Sequence, residues 1–194
     1  MLKLIQQKTS KIMSTFNVPT KNEVSANNQA IFAQLEKGLG FVPNLYASFA
    51  HSETALGNFL AIGNGKTSFS AKEKEVINLA VSQVNECVYC LSAHTAIGKM
   101  NGFSDDQILE LRTGEASFDS KLNALAKFAK SVAINRGAAT QEAIENFYKA
   151  GYTKGSLADA ILLIGEITIT NYFHKTTEVP VDFPIAQPLE LTTL

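Results

Sequence analysis

Signals for helix starts recur along this chain, and they constrain its fold more than any other feature of the sequence. Two capping boxes, Ser70-Ala-Lys-Glu73 and Ser104-Asp-Asp-Gln107, place side chains where they can bind the free backbone amides of a first helical turn. Apolar residues then recur at intervals of three and four positions, the period of one helix face. Another helix is predicted over residues 87–99. Capping residues or a first-turn proline predict further starts at Ser25, Pro43, Ser52, Asp119 or Ser120, Thr140 and Thr153.

Strand signals are weak by comparison, because no stretch of useful length alternates polar and apolar residues. Residues 167–170 have local strand propensity, but their apolar positions continue a helical period that begins at Leu157, so we predict helix there. The chain has 194 residues, the size of one domain. The sequence therefore predicts an all-α protein. We expect a single-domain helical bundle over residues 16–184, a flexible arm at residues 1–15 and a C-terminal tail at residues 185–194.

Charge and composition exclude several classes of protein. The net charge is −1, from 17 basic and 18 acidic residues, so no strong field attracts a phosphate backbone and we expect no nucleic-acid partner. No apolar run approaches the roughly 20 residues that span a bilayer, and residues 1–16 lack the apolar region of a secretory signal. We therefore expect no membrane contact and a cytoplasmic protein, translated from Met1 or from Met13. Two cysteines are too few for a disulfide-rich secreted scaffold.

The chemically distinctive residues are Cys87, Cys90 and His94. On a helix, offsets of three and seven residues lie on one face, and residues three apart bring their Cα atoms to about 5–6 Å, which suits a disulfide. The two cysteines can therefore interconvert between a dithiol and a disulfide with little backbone movement. A bridge that closes so small a loop adds little stability. In a cytoplasmic protein, such a pair is more often catalytic or redox-sensing than structural.

A reactive cysteine must be a thiolate, and neighbouring residues favour one. An unperturbed cysteine with a pKa of about 8.5 is only about 3% ionised at pH 7, and lowering the pKa by about two units takes ~2.7 kcal/mol and ionises roughly 75%. Cys87 lies near a predicted helix start, where the helix dipole favours an anion. His94 follows Cys90 by one turn and can exchange protons with a thiol, while Glu75 of the preceding helix can orient its imidazole. Glu86, a secondary candidate, opposes thiolate formation if its side chain points inward.

Plainer interpretations of the same residues stay open. Cys87 and Cys90 can be two small core residues, or they can join His94 as three zinc ligands, although a single helical row is unusual for a closed zinc site. His94 alone can be a histidine that is tolerated at the rim of the core. Glu75 alone can be a solvent-exposed helix residue. The other histidines, His51 and His174, match no motif, and we expect His174 on the surface.

Together the residues resemble a family signature. Glu75, eleven intervening residues and then Cys87-x-x-Cys90-x-x-x-His94 are similar to the motif of the alkylhydroperoxidase D-like branch of the carboxymuconolactone decarboxylase family. The resemblance implies an all-helical subunit of a homo-oligomer, a trimer or a hexamer. It also implies a thiol peroxidase for hydroperoxides that is recycled by an external dithiol or thioredoxin-like reductant; we expect no cofactor and no metal. Further segments extend the likeness over residues 16–184, namely Phe41-Val-Pro-Asn-Leu-Tyr46, Gly102-Phe-Ser, Thr170-Asn-Tyr-Phe and Val181-Asp-Phe-Pro184.

The family pattern implies a role for each matching residue. By resemblance, Cys90 is the peroxidatic thiolate, and Cys87, nearer the helix start and expected to be the more exposed, is the resolving thiol. Glu75 and His94 would form the proton relay. Well-studied peroxidases of this branch have a second histidine directly before the second cysteine, and here that position is Tyr89. Tyr89 is a secondary candidate because its hydroxyl can still donate a hydrogen bond.

Two rival functions fit the same residues. The enzymatic rival is the cofactor-free lactone decarboxylation after which the family is named, and it needs no cysteine pair. The non-enzymatic rival is a helical oligomer that uses the pair as a redox switch or as inert packing. A thiol pKa separates these functions, because a switch or a peroxidase needs a lowered value whereas packing predicts a normal or raised one. For assembly, we expect the apolar helices over residues 52–64 and 153–175 to face a subunit partner.

Overall fold

The computed structural model describes residues 16–189, and every regular element in this part of the chain is a helix. The absence of strands among these residues confirms the predicted all-α class. The predicted arm at residues 1–15 and the last part of the predicted tail, residues 190–194, lie outside the described residues.

A short 3-10 helix at Lys21–Glu23 is the first element of the chain that the structure describes. The α-helices are α1 (Ala26–Leu39), α2 (Asn44–Phe49), α3 (Ala55–Gly63), α4 (Ala71–Val84), α5 (Val88–Met100), α6 (Asp105–Thr113), α7 (Ser120–Ile134), α8 (Gln141–Lys149) and α9 (Lys154–Thr177).

Most helices begin at the residues whose side chains were predicted to cap them. Ser70 and Ser104 start α4 and α6 within complete capping boxes. One predicted start is too early, because α3 begins at Ala55 rather than after Ser52. Ser52 Oγ instead accepts a hydrogen bond from the Ala55 amide at 3.2 Å and closes a turn ahead of the helix. The other side-chain caps are Ser25, Asp119, Thr140 and Thr153, at the starts of α1, α7, α8 and α9.

Helix α4 is the central element of the bundle, and it packs against α5, α6, α7 and α9. Its apolar side chains without exposed surface are Val76, Ile77, Leu79, Ala80 and Val81. Removing apolar surface from water stabilises a fold by about 25 cal/mol per Å², so an enclosed helix of this kind anchors the core. Polar side chains on such a helix must find partners inside the protein, because a buried charge without a partner is strongly destabilising. Glu75 is one of these side chains.

The chain leaves α9 and crosses the bundle as an extended segment, residues 179–187, which we call the C-terminal strap. Asp182 Oδ1 in the strap accepts a hydrogen bond from Tyr89 Oη of α5 at 2.6 Å. Further along, the amide of Ala186 donates to Ser92 Oγ of the same helix at 2.9 Å. The strap is therefore fixed to α5 at two points, and it covers the region where α5 begins.

Helix α9 buries one side and leaves apolar side chains of another side in solvent. Leu162 is 62% exposed and Tyr172 is 61% exposed. A row of large apolar side chains on one helix face is typical of a contact surface. The expected subunit contact over residues 153–175 stays a prediction. The exposed apolar residues of this α9 face are Ile161, Leu162, Ile169 and Tyr172.

No helix among the described residues is long and apolar enough to cross a membrane.

Candidate active site

A tight turn between α4 and α5 places Cys87 at the start of α5. Glu86 in this turn has a φ of 53°, a left-handed conformation that few residues other than glycine adopt. The amide of Cys87 then donates to Ser82 O at 3.0 Å, and Cys87 becomes the N-cap of α5. Its Sγ accepts a hydrogen bond from the Cys90 amide at 3.4 Å. The exposed Glu86 carboxylate lies 3.6 Å from Lys175 Nζ, so it points away from the sulfur atoms.

The two cysteine side chains meet inside the protein. Their Sγ atoms are 2.9 Å apart, and both are free thiols. Cys87 is 0% exposed and Cys90 is 2% exposed. The expectation that Cys87 is the more exposed residue is therefore wrong, because the C-terminal end of α9 packs over the start of α5. The short separation is consistent with disulfide formation by a small side-chain movement.

The pKa values of the two thiols differ, because their surroundings shift them in opposite directions. A hydrogen bond from Cys90 lowers the pKa of Cys87 to about 5 against the opposing effect of burial, and His174 and the Cys90 amide add to the lowering. Burial and the neighbouring Cys87 sulfur raise the pKa of Cys90 well above its usual range. The pair therefore loses its first proton below neutral pH and retains the second. At rest the single negative charge lies mainly on Cys87.

Glu75 of α4 and His94 of α5 are brought together, with His94 Nδ1 2.8 Å from Glu75 Oε2. Because an ionised carboxylate only accepts, Nδ1 carries the proton and Nε2 remains for other chemistry. Asn78 Nδ2 donates to the second carboxylate oxygen of Glu75 at 3.2 Å. Burial lowers the pKa of His94, but the charges of Glu75, Glu166 and Cys87 outweigh it and raise the value overall. The His94 side chain is 18% exposed, so the site reaches solvent here.

Tyr89, which replaces the family's second histidine, is a buried structural tie. Its hydroxyl donates to Asp182 Oδ1 at 2.6 Å and accepts a hydrogen bond from the Leu45 amide at 3.2 Å. Burial and the bond to Asp182 raise the pKa of Tyr89 far above its usual range. The hydroxyl thus joins α5 to the start of α2 and to the C-terminal strap, and its hydrogen bonds are directed away from the sulfur atoms.

His174 is a site residue that the sequence analysis missed. We expected it on the surface, but it is only 7% exposed, because α9 ends beneath the C-terminal strap. Its Nε2 lies 3.1 Å from Val179 O, and its imidazole helps to lower the pKa of Cys87. The helical period was a signal that could have found it. His174 follows Ile167 and Thr170 at intervals of seven and four residues, on the face of α9 that these buried side chains define.

Two polar residues of α9 complete the surroundings of the sulfurs. Thr170 Oγ1 lies 3.6 Å from Cys90 Sγ. Asn171 is fully buried; its Nδ2 donates to Ser82 Oγ at 3.1 Å, and its Oδ1 accepts from Asn85 Nδ2 at 2.8 Å. Both belong to a segment that resembles the family motif, but the sequence alone assigned them no role. They fix α9 against the turn that presents Cys87.

A second carboxyl group, that of Glu166 on α9, lies near His94. Burial raises the pKa of Glu166, while the charge of His94 opposes this rise. Burial likewise raises the pKa of Tyr46 to about 12, with Glu166 adding to the rise. Gly63 makes room for the carboxyl, because a Cβ at that position would lie 2.5 Å from Glu166 Oε1. Sequence spacing offered no signal for Glu166, which approaches the site only through the packing of α3 and α9.

The residues of the zinc alternative are not arranged as metal ligands. Cys87 and Cys90 are hydrogen-bonded to each other, and His94 Nδ1 is bound to Glu75. Among residues 16–189, no group of three or more histidine, cysteine, aspartate or glutamate side chains could hold a metal ion.

Helices packed around a buried cysteine pair and a Glu/His pair form a fold of the alkylhydroperoxidase D-like type. Residues 53–133 match the model of the carboxymuconolactone decarboxylase family, and this segment contains Glu75, Cys87, Cys90 and His94. This match and the similar structures reported below confirm the resemblance found in the sequence, to the carboxymuconolactone decarboxylase family and its alkylhydroperoxidase D-like branch.

Solved structures share this fold over most of their length. An uncharacterised peroxidase-related protein from Silicibacter sp. TM1040 is 23% identical, with a TM-score of 0.76 over 90% of this chain and 94% of that one. A peroxidase-related protein from Ralstonia eutropha JMP134, with an alkylhydroperoxidase AhpD core, is 20% identical, with a TM-score of 0.78 over 88% and 93%. The debrominase Bmp8 is 16% identical, with a TM-score of 0.67 over 79% and 85%. At these identities the likeness establishes the fold. No curated protein sequence matches the chain significantly.

Proposed function

We propose that this protein is a thiol-dependent peroxidase that reduces alkyl hydroperoxides through a dithiol–disulfide cycle of Cys87 and Cys90. The observation that carries the proposal is a pair of sulfur atoms 2.9 Å apart in which one thiol has a lowered pKa. Inert packing would leave both thiols with normal or raised pKa values. The lowered value at Cys87 therefore favours redox chemistry over packing, and lactone decarboxylation has no use for a dithiol.

In the first step, Cys90 attacks the peroxide, as the family pattern implies. The negative charge of the pair passes to Cys90 when its proton crosses the 2.9 Å gap to Cys87. The Cys90 thiolate then bonds to one oxygen of ROOH, the O–O bond breaks, and Cys90 becomes a sulfenic acid while RO⁻ leaves. His94, oriented by Glu75, gives a proton to RO⁻, which departs as the alcohol.

In the second step, Cys87 resolves the sulfenic acid. The Cys87 thiol, which holds the proton received from Cys90, attacks the Cys90 sulfur; the S–S bond forms, the S–O bond breaks, and the departing hydroxide takes the Cys87 proton and leaves as water. One hydroperoxide and two thiols thus give one alcohol, one water and one disulfide. An external dithiol, either a small molecule or a thioredoxin-like protein, then reduces the disulfide and is itself oxidised.

The residues around the sulfurs support an organic substrate. Cys87 and Cys90 belong to the hydrophobic core cluster of the protein, so an alkyl group would find apolar surroundings. The similar structures described as peroxidase-related point to the same chemistry. Because a debrominase shares the fold, the fold alone does not select the substrate. The choice of a hydroperoxide rests on the joint presence of the dithiol and the pair of Glu75 and His94.

Assembly and location form part of the proposal. The exposed apolar face of α9 would be covered in a homo-oligomer, a trimer or a hexamer, as the family resemblance implies. The external reductant would meet the protein in the cytoplasm, where thiols are kept reduced.

Peroxide consumption by serine variants tests the cycle. With cumene hydroperoxide as substrate and dithiothreitol as reductant, we expect Cys90→Ser to abolish turnover. Cys87→Ser should stop turnover but leave a sulfenic acid on Cys90 that dimedone traps in a single turnover. His51→Gln, at an exposed histidine outside the site, is the control and should match the wild type. Turnover by Cys90→Ser, or none by the wild type, would contradict the proposal.

A further inference from the structure

Helix α9 carries apolar residues on two sides, although only one side packs inside the subunit. The inner side holds buried residues such as Leu163, Ile164 and Ile167. On the outer side, exposed residues recur at alternating intervals of four and three, the spacing at which one helix faces another. A helix that is apolar on both sides is normally buried on both. These exposed residues, which are all uncharged and which we call the outer seam, are Ala158, Leu162, Gly165, Ile169, Tyr172 and Thr176.

Three charged side chains along the outer seam are directed into contacts within the subunit. Asp159 Oδ2 accepts a hydrogen bond from the amide of Ser68 at 2.7 Å, and Lys175 Nζ lies 3.6 Å from a carboxylate oxygen. The Glu166 carboxyl is folded against α3, where a Cβ at Gly63 would lie 2.5 Å from its Oε1. The seam therefore presents an uncharged surface that runs for about 27 Å along the helix.

Gly165 lies at the centre of the outer seam and in the middle of α9, which runs from Lys154 to Thr177. A Cβ at this position would meet no heavy atom of the surrounding subunit within 4 Å among residues 16–189, so nothing inside the subunit requires a glycine here. Glycine weakens a helix because it loses more conformational freedom on folding than alanine does. The close approach of a second helix, which a residue without a side chain permits, accounts for it.

A groove beside the C-terminal half of the seam can accept an apolar side chain. It has a volume of about 550 Å³ and is lined by Ile169 and Tyr172 together with aromatic rings that include Phe16 and Phe173. Leu162 protrudes from the other half of the seam and is 62% exposed. It lies about 10 Å from Ile169 along the helix, so it cannot fill the groove of its own subunit. The protruding side chain and the groove are complementary when two copies meet in opposite directions.

We propose that the outer seam binds a second copy of this chain, with the two α9 helices antiparallel about a twofold axis at Gly165. Contacts across such an axis are reciprocal, so positions equally far from Gly165 on either side face one another. Ala158 then meets Tyr172 of the second copy, a small residue opposite a large one. Leu162 of each copy enters the groove beside Ile169 of the other. A parallel contact would set each tyrosine of the seam against itself and leave both grooves empty.

This contact fixes the symmetry of the assembly. The family resemblance implies a trimer or a hexamer, and a trimer has a threefold axis only. A hexamer built from three dimers contains twofold axes as well. The outer seam therefore selects an assembly with an even number of subunits, the hexamer of these two. The inference rests on the assembly part of the proposed function and not on the peroxide chemistry.

Disulfide trapping tests the direction and register of the contact. When two helix axes are about 8 Å apart, facing Cα atoms lie about 4–6 Å apart, a distance that a disulfide spans. The full chain carries Cys87→Ser and Cys90→Ser, so that no native thiol reacts, and is oxidised with copper phenanthroline. We expect Ala158→Cys/Tyr172→Cys to give at least about tenfold more covalent dimer than either single variant, because neither residue faces itself. Within one chain the two positions are about 21 Å apart, too far to pair.

The single variants distinguish the possible arrangements. Gly165→Cys should form covalent dimers by itself, since Gly165 lies on the proposed axis. If Ala158→Cys or Tyr172→Cys alone were trapped as efficiently as the double variant, the helices would be parallel and the proposal overturned. No covalent dimer from the double variant would overturn the contact altogether.

Replacing Gly165 by leucine tests the close approach. The variant adds apolar surface to the seam but blocks the approach of a second helix, so we expect the dissociation constant of the contact to rise at least about tenfold. Gly38→Leu is the matched control, because Gly38 of α1 is also a helical glycine with open space around it. By light scattering at micromolar concentration, the wild type and Gly38→Leu should be hexamers, and Gly165→Leu should have half that mass or less. Circular dichroism should show that Gly165→Leu keeps its helices, since leucine favours helix more than glycine does.

A trimeric or monomeric wild type, or a Gly165→Leu variant with the wild-type mass, would overturn the proposal. Neither experiment uses a peroxide, so the two proposals fail separately. A protein that assembles through the outer seam but consumes no peroxide would contradict the peroxidase cycle alone. An active peroxidase that gives no trapped dimer would contradict the contact alone.

Discussion

Nδ1 of His94 lies 2.8 Å from Oε2 of Glu75, although the two residues belong to different helices and are 19 positions apart in the chain. The carboxylate side chain is 7% exposed and the imidazole 18%. In partly buried surroundings of this kind, opposite charges interact much more strongly than in water. The pair therefore fixes the imidazole tautomer and couples α4 to α5 at the mouth of the site.

Replacing Glu75 by glutamine removes the charge that orients His94. We expect the pKa of His94 to fall, because burial lowers this pKa and the charge of Glu75 no longer opposes that effect. Peroxide turnover should fall by about 10²-fold, the lower range for a lost acid–base group. The measurements are histidine NMR titration and steady-state peroxide consumption. Glu86→Gln is the control, since that carboxylate is exposed beside the motif. Turnover of Glu75→Gln within twofold of the wild type would show that the pair is merely structural.

Ionisation of Cys87 links the stability of the reduced protein to pH. Its pKa is about 5 in the folded chain, against about 8.5 for an unperturbed thiol, so the unfolded state binds more protons between these values. The contribution is fully present above about pH 8.5 and lost as pH falls through about 5. We expect the free energy of unfolding to rise from pH 5 to pH 8 by at most about 1.4 kcal/mol per pH unit. Urea unfolding of wild type and Cys87→Ser measures this. Equal slopes would contradict the account.

Tyr89→Phe should loosen the C-terminal strap. The variant loses the bond to Asp182 at 2.6 Å and leaves the Leu45 amide without its acceptor at 3.2 Å. Because an unsatisfied buried donor costs about 1–3 kcal/mol, we expect a loss of stability in that range. Hydrogen exchange at the Ala186 amide, which bonds Ser92 in the strap, should accelerate. Tyr148→Phe, at a partly exposed tyrosine of α8, serves as control. Wild-type stability of Tyr89→Phe would show that the tie is dispensable.

The exposed face of α9 should mediate assembly. Leu162 is 62% exposed, and placing a charge there would oppose burial of that face against a second subunit. We expect the wild type to be a trimer or hexamer by light scattering at micromolar concentration, and Leu162→Glu to be smaller. Met100→Glu, at a side chain that is 85% exposed on α5, should assemble normally. A monomeric wild type would refute the assembly.

Local signals made most of the fold predictable. The capping boxes at Ser70 and Ser104 start helices because each satisfies backbone amides within four residues, a property that no distant part of the chain alters. The strand propensity of residues 167–170 did not lead to a wrong prediction, because the helical period of α9 continues through them. The start of α3 was misplaced because Ser52 uses its hydroxyl to close a turn instead of capping the helix.

The site was only partly visible in the sequence, because its remaining members depend on how α9 and the strap pack. Spacing on α5 and the family resemblance led to Cys87 and His94. His174 was misjudged as a surface residue, since nothing local reveals that the strap covers the end of α9. The burial of Cys87 has the same origin, because a helix N-cap is usually open to solvent and here another helix closes it. Glu166 approaches His94 through tertiary packing alone.

The central claim is that peroxide drives disulfide formation between Cys87 and Cys90, and intact mass with a thiol count tests it most directly. Reduced protein is mixed with one equivalent of cumene hydroperoxide and sampled from seconds to minutes. We expect both thiols to disappear together and the mass to fall by about two units, the two hydrogens lost in forming one disulfide. Two thiols that remain unreactive over minutes, with unchanged mass, would contradict the proposed function.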